Sequence, residues 1–282
     1  MAELLKGKAV ADSLTEKNIK EVEALKAKGI VPTLAIVRVG ENPSDLSYER
    51  GALKRAENTG VAVKQFIYDV NITQEELISE IYKINEEETI HGVLIFRPLP
   101  KSIDDKAVCD ALAPSKDMDG ITAGSMAGVF MDSGQGYPPC TAAACMEIME
   151  HYGVDLQGKK VTVMGRSLVI GKPVAMMTMK KNATVTVCHS KTEIEDFKAA
   201  GRNADIVIAA LGRAKMVDAD RLGENQIIID VGINVDEDGK LCGDVDFENV
   251  EAKAAMITPV PGGVGSVTTA VLMKHVIEAA GK

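Results

Sequence analysis

The 282-residue sequence has no tryptophan, and tyrosine and phenylalanine number five each, so aromatics make up only 4% of it. The core of a 30.0 kDa chain must therefore come from Val, Ile, Leu, Ala and Met. Positive charge is not in excess either: 32 Lys and Arg stand against 41 Asp and Glu, a net charge of −9. That balance excludes a basic phosphate-reading face and argues against a nucleic-acid partner. No apolar run approaches the roughly 20 residues of a membrane span. The opening stretch MAELLKGKAVADSLTEK carries acids and lysines where a signal peptide needs apolar residues. Five cysteines (Cys109, Cys140, Cys145, Cys188, Cys242) form an odd set without CxxC spacing. They read as reduced thiols of a cytoplasmic protein, not as a disulfide framework or a zinc site, and no metal is expected.

What is present alternates between short β-branched runs and longer amphipathic stretches. Val10, Leu14, Val22 and Leu25 recur at helical spacing, with Gly29 as a stop. Thr33–Val39 reads as a buried strand, followed by a turn at Gly40–Pro43 and a helix from about Ser44 to Asn58. A strand over Val61–Tyr68, a helix opened by a Thr73/Glu76 capping box and a strand over His91–Phe96 complete a first α/β series. Residues 114–141, rich in Gly, Ser, Asp and Pro, read as a functional loop. After a helix from Thr141 to about Tyr152 comes a second series, with strands at 160–164, 184–187, 205–210, 226–231 and 256–257. A last helix covers roughly Ser266–Ala280. The expected fold class is therefore α/β with two α/β domains, 1–150 and 151–265, the second Rossmann-like.

Strand 160–164 runs into Gly165-Arg166-Ser167 and on to Gly171-Lys172-Pro173 before a helical stretch. A strand, a glycine turn and a helix N-terminus make an anion site, because free N–H groups and the helix dipole converge there. The spacing is not GxGxxG, and a ligand-free βα turn fits the bare pattern equally well. A NAD site would place an acid at the end of the next strand, for the ribose hydroxyls. Here that strand ends Val187-Cys188-His189-Ser190-Lys191, with no acid before Glu193. Arg166, Ser190 and Lys191 suit a 2′-phosphate instead, so NADP fits better than NAD. An ordinary polar turn is the plain alternative for Ser190 and Lys191. The segment Thr258-Pro259-Val260-Pro261-Gly262-Gly263-Val264-Gly265 offers a stiff backbone followed by glycines that let a flat ligand approach closely.

Taken in order, Lys116-Asp117-Met118-Asp119-Gly120, Pro139-Cys140-Thr141, Gly165-Arg166-Ser167, Cys188-His189-Ser190, Asp230-Val231-Gly232-Ile233-Asn234, Gly243-Asp244-Val245 and 258–265 identify a relationship. The sequence resembles the methylenetetrahydrofolate dehydrogenase/cyclohydrolase family along essentially its whole length. That resemblance implies a folate cleft between two domains, a last helix (266–282) packed back on the first domain, and a homodimer. It also implies oxidation of 5,10-methylenetetrahydrofolate with NAD(P)+, followed in most members by hydrolysis to 10-formyltetrahydrofolate. By position, Tyr48 and Asp119 are the expected catalytic and folate-binding residues, with Pro261, Gly262 and Gly263 beside the ligands. Gly165, Arg166, Ser167, Gly171, Ser190 and Ile233 are the expected cofactor residues.

Two positions depart from the family. Its helix usually reads Tyr-x-x-x-Lys-x-Lys, whereas here Tyr48 is followed by Ala52 at the first lysine position, the one central to the cyclohydrolase step. Its Val-Gln-Leu-Pro-Leu-Pro strand is here Ile95-Phe96-Arg97-Pro98-Leu99-Pro100, so Phe96 replaces the glutamine that partners that lysine. Position 52 lies only ~40° round the helix from Tyr48, while Lys54 is ~240° round and points away. Arg55 returns to the tyrosine's face a turn later and is too basic to exchange protons near neutrality. Arg97 is expected to face the opposite side of the sheet from Phe96. The expected function is thus a dehydrogenase with cyclohydrolase activity lost or weak. A bifunctional enzyme with a displaced base and a non-catalytic folate- or nucleotide-binding protein are the alternatives.

The remaining candidates have plain readings. His91, His151 and His275 fit surface or core positions, and His189 fits the cofactor turn. Cys140 precedes a helix start that would lower its pKa, but burial accounts for it more simply. Met176, Met177 and Met179 read as core packing, and Glu86–Glu88 as a solvated helix end.

Overall fold

The computed structural model describes residues 2–282. In chain order the elements are β1 (Glu3–Leu4), α1 (Gly7–Lys26), β2 (Thr33–Val39), α2 (Pro43–Thr59), β3 (Ala62–Tyr68), α3 (Gln74–Glu86), β4 (Gly92–Ile95) and α4 (Asp105–Ala111). Then come α5 (Ala123–Met131), α6 (Cys140–His151), β5 (Lys160–Met164), α7 (Gly171–Lys180), β6 (Thr184–Cys188), α8 (Ile194–Arg202) and β7 (Ile206–Ala209). The chain ends with β8 (Ile227–Asp230), the short pair β9 (Asn234–Val235) and β10 (Leu241–Cys242), α9 (Phe247–Val250), β11 (Met256–Ile257) and α10 (Thr268–Ala280). Its contacts fall into two compact units: residues 12–140 with 269–282, and residues 1–11 with 141–268.

The first unit is built on a parallel three-stranded sheet in the order β3-β2-β4. β2 is buried along its whole length, as its unbroken apolar run requires of a central parallel strand. Val37, Val93 and Ile95 of the sheet pack with Leu77, Ile81 and Ile84 of α3 and with Val108 and Leu112. The capping box at Thr73 and Glu76 is fully formed and starts α3. The last helix belongs to this unit: the buried Asn18 amide donates to the Ala270 carbonyl, 3.0 Å away, tying α1 to α10. On α10, His275 is buried and its Nδ1–H donates to the Met118 carbonyl at 2.8 Å.

The second unit carries a six-stranded parallel sheet in the order β1-β11-β8-β7-β5-β6. The chain winds from β5 out to β6 on one side and to β7 and β8 on the other. The carboxyl ends of β5 and β7 therefore flank a topological switch point, where parallel α/β sheets hold ligands. Met164, Phe197, Val207, Val217, Ile228 and Ile257 belong to its core.

Several elements differ from the expectations above. Residues 114–141 are not one loop: they hold a 3₁₀ turn at 114–116 and α5, whose sequence AGSMAGVFM shows no polar face from which to read a period. Thr122 starts α5 by accepting the Ser125 N–H, and left-handed Asp132 ends it. α4 and the two-residue β1 had no expected counterpart. The helical methionines are not core: α7 buries Gly171, Val174, Ala175 and Thr178, an i, i+3, i+4, i+7 stripe. Met176 and Met177 flank that stripe half-buried, and Met179 is 51% exposed.

A buried ion pair fixes α2. The Arg38 guanidinium donates from Nε to Glu49 Oε2 at 2.8 Å, and Gln65 Nε2 donates to Glu49 Oε1 at 2.6 Å. A further guanidinium nitrogen of Arg38 bonds the Gly40 carbonyl. The two charged side chains are 6% and 5% exposed, so the pair is buried and its partners must satisfy it. Glu49→Gln strands the Arg38 charge and should cost about 3–5 kcal/mol of stability in guanidinium unfolding. Replacing both residues by apolar ones should recover most of that loss, and an undisturbed midpoint in the single variant would refute the pairing. His275 supplies a pH dependence, since burial pulls its pKa down to about 4. Between that value and the ordinary ~6.5 the unfolded chain binds more protons, so stability falls as pH drops through this window, by about 3 kcal/mol in all. His275→Asn should flatten the dependence.

Candidate functional site

In the second unit, residues that follow β5, β6 and β7 enclose a cavity of about 420 Å³. Gly165, Arg166 and Ser167 come from the turn after β5, His189, Ser190 and Thr192 from the turn after β6, and Leu211, Arg213 and Met216 from the segment after β7. The sequence folds this way because the β5–α7 turn needs its glycines. Gly165 sits at φ +136°, and a Cβ there would stand 2.1 Å from the Ala210 carbonyl oxygen. A Cβ on Gly171 would stand 2.3 Å from the Gly165 carbonyl oxygen. Both glycines thus let the turn close on itself between β5 and α7. No side chain caps α7; the Lys172 N–H is taken by the Ser167 carbonyl at 3.0 Å and Pro173 has none, which leaves the Gly171 N–H and the positive end of the helix dipole for an anion. Arg166 and Arg213 add two guanidinium groups to the lining. Glycine turn, helix start and paired cations are the donor set that a dinucleotide's phosphates require, and these residues fit such a cofactor.

The expected cofactor residues Gly165, Arg166, Ser167 and Ser190 therefore meet in one cavity, while Gly171 lies outside its lining and packs against the Gly165 backbone. Ile233 does not join them. It lines a separate, smaller cavity of about 190 Å³ with Pro261, Gly262 and Gly263. Gly262, at φ +102°, accepts the Gly7 N–H through its carbonyl at 2.8 Å. The Val260–Pro261 peptide bond is cis. Leu211, Arg213 and Met216 are cavity residues that no motif reading had singled out. A topological signal was available, because residues after the strand next to β5 belong to the switch-point crevice.

In the first unit, Tyr48 on α2 meets Phe96 edge to face, ring centres 6.0 Å apart. Ala52, one turn along α2, is fully buried, and Phe96 is 8% exposed. Lys54 is exposed, and Arg55 bonds the hydroxyls of Thr15 and Thr269, so neither stands in for a side chain at position 52. Asp119 accepts the Cys140 N–H at 3.0 Å. Burial pushes its carboxyl above the usual range, opposed by that N–H and by the Arg97 guanidinium. β4 ends at Ile95, so strand alternation does not turn Arg97 away, and its charge acts on Asp119. Cys140 is buried, its thiol donates to the Met118 carbonyl at 3.3 Å, and burial pushes its pKa well up. The helix start therefore does not activate this thiol, in agreement with the simpler reading.

Comparison with known proteins gives the family. Residues 5–119 fit the model of the tetrahydrofolate dehydrogenase/cyclohydrolase catalytic domain, and residues 139–282 that of the family's NAD(P)-binding domain. The bifunctional protein FolD of Clostridioides difficile is 50% identical over 98% of this chain and 96% of its own. The crystal structure of the bifunctional FolD methylenetetrahydrofolate dehydrogenase/cyclohydrolase of Campylobacter jejuni superposes with a TM-score of 0.96 at 37% identity, covering 100% of this chain and 99% of that one. The Trypanosoma brucei enzyme, solved with NADP and an inhibitor, gives a TM-score of 0.92 at 34% identity over 99% and 97% of the two chains. The chain belongs to the tetrahydrofolate dehydrogenase/cyclohydrolase family.

Proposed function

We propose that this protein oxidises 5,10-methylenetetrahydrofolate to the methenyl form with NADP+, NAD+ being the alternative acceptor, and that its cyclohydrolase step is lost or weak. The observation that carries the second half is the buried methyl of Ala52 beside the Tyr48–Phe96 ring pair, where the family places a lysine and a glutamine. Hydrolysis of the methenyl cation needs a water activated and protons moved, and positioned groups of that kind contribute about 10²–10⁴-fold. A methyl and a benzyl group can do neither. Hydride departure makes no such demand: the folate nitrogen lone pair expels the hydride, and the protein's task is to hold the two ligands in register. The oxidised nicotinamide supplies the hydride acceptor.

In this reading Tyr48 stacks on the folate and Asp119 bonds its pterin ring. Arg97 supports that role by favouring the ionised Asp119 carboxylate. Arg166, Ser167 and Ser190 hold the nucleotide, and the absence of an acid between β6 and Glu193 favours the 2′-phosphorylated form. We also infer a homodimer working in the cytoplasm. The second reading, a bifunctional enzyme with a displaced base, draws support from relatives 42–50% identical that bear the name bifunctional protein FolD.

Restoring both lost groups tests the assignment. Ala52→Lys with Phe96→Gln should raise hydrolysis of methenyltetrahydrofolate on the order of 10²-fold or more while dehydrogenase activity persists. The single substitutions should do much less. A double variant that oxidises substrate normally yet gains no hydrolase would count against this mechanism.

A further inference from the structure

The nucleotide cavity has one wall, the segment after β7, whose conformation is imposed by a side chain far away in sequence. Asp244 is fully buried. Its Oδ2 accepts the N–H groups of Leu211 and Gly212 at 2.5 and 3.1 Å, and its Oδ1 accepts that of Arg213 at 2.8 Å. Three consecutive N–H groups converging on one anion form a nest, the arrangement by which backbone usually captures a phosphate. Here the protein's own carboxylate occupies it. Gly212 supplies the left-handed residue that the curl needs, at φ +65°. Asn234 Nδ2, 2.9 Å from Oδ1, completes the shell.

Asp244 is in turn held by a second buried carboxylate. Asp230 Oδ1 accepts the N–H groups of Asp244 and Gly232, each at 3.0 Å, and Oδ2 that of Val245 at 2.9 Å. The approach is so close that side chains are excluded. A Cβ on Gly243 would stand 1.8 Å from Asp230 Oδ2, and one on Gly232 would stand 2.5 Å from the Asp244 carboxyl carbon. The Asp-Val-Gly-Ile-Asn and Gly-Asp-Val motifs thereby acquire a single purpose: two carboxylates, each satisfied by backbone donors, with glycines clearing the space between them.

We propose that Asp244, seated by Asp230, is the positioning residue of the nucleotide site, setting the 211–213 wall so that Arg213 meets the phosphate-bearing ligand. The inference rests on reading the cavity as the dinucleotide site. A carboxylate that merely stabilised the fold would, when altered, lower stability without singling out one ligand. A positioning residue must change nucleotide affinity while folate affinity stays put.

The test uses the full-length protein and calorimetric titration with NADP+ and, separately, tetrahydrofolate. Asp244→Asn keeps the side chain's size but turns an NH₂ group toward backbone N–H donors that need an acceptor. It should weaken NADP+ binding at least tenfold and leave tetrahydrofolate binding within twofold. Asn234→Ala, at a half-exposed residue, removes one donor from Asp244 without disturbing the core and guards against a variant that does not fold. It should weaken NADP+ binding about threefold and speed hydrogen exchange at the amides of 211–213. Wild-type NADP+ affinity in Asn234→Ala, or equal losses for both ligands in Asp244→Asn, would overturn the proposal. Absence of NADP+ binding by the wild-type protein would overturn the reading of the cavity and the proposal with it.

Discussion

Parallel strands end by releasing backbone N–H groups, and each must find an acceptor. The six-stranded unit is organised by how it meets this constraint at neighbouring strand ends. After β5, glycines close the turn and leave the Gly171 N–H at the start of α7. After β7 and β8 the demand is met internally, by Asp244 and Asp230. One open anion site is thus bordered by two that the chain has filled with its own carboxylates. The arrangement is costly in buried charge, and the seven donors that the Asp230 and Asp244 carboxylates accept are what make it tolerable. On the proposal made above, it sets the 211–213 wall of the nucleotide site.

The three-stranded unit shows the reverse economy. Around Tyr48 the polar groups expected of a proton-transfer site are gone, and an aromatic edge-to-face contact with a buried methyl nearby takes their place. Polarity is retained one residue along the helix, in the Arg38–Glu49–Gln65 network that anchors α2 to the sheet. That network holds α2 firmly, as the proposed stacking role of Tyr48 requires, and the proposed loss of hydrolase leaves the helix no proton to move. Orientation and proton transfer are separable demands, and this site keeps the machinery of the first.

Much of this architecture was legible before any coordinates. Strands β2, β5 and β11 coincide with the expected runs residue for residue, because a buried parallel strand is written as an uninterrupted apolar segment. The capping box announced α3, and the glycine turn announced the cavity. Elements without a contrast between faces stayed hidden: α5 is apolar almost all round, and β1 is too short to show a period. The methionines of α7 misled because composition suggested a core where helical phase placed Met179 outside it. The parts played by Asp230 and Asp244 were out of reach for a different reason. The partners of Asp244 at 211–213 lie 31 to 33 residues away and those of Asp230 at 244 and 245 lie 14 and 15 away, and no local pattern records hydrogen bonds of such span.

The most direct measurement is one absorbance time course of the purified protein with 5,10-methylenetetrahydrofolate and NADP+, recorded at mildly acidic pH, where the methenyl product survives uncatalysed hydrolysis. The account predicts methenyltetrahydrofolate rising in step with reduced cofactor. Reduced cofactor accumulating while methenyltetrahydrofolate stays low would contradict it, and would show that proton transfer persists in a site without the lysine and glutamine.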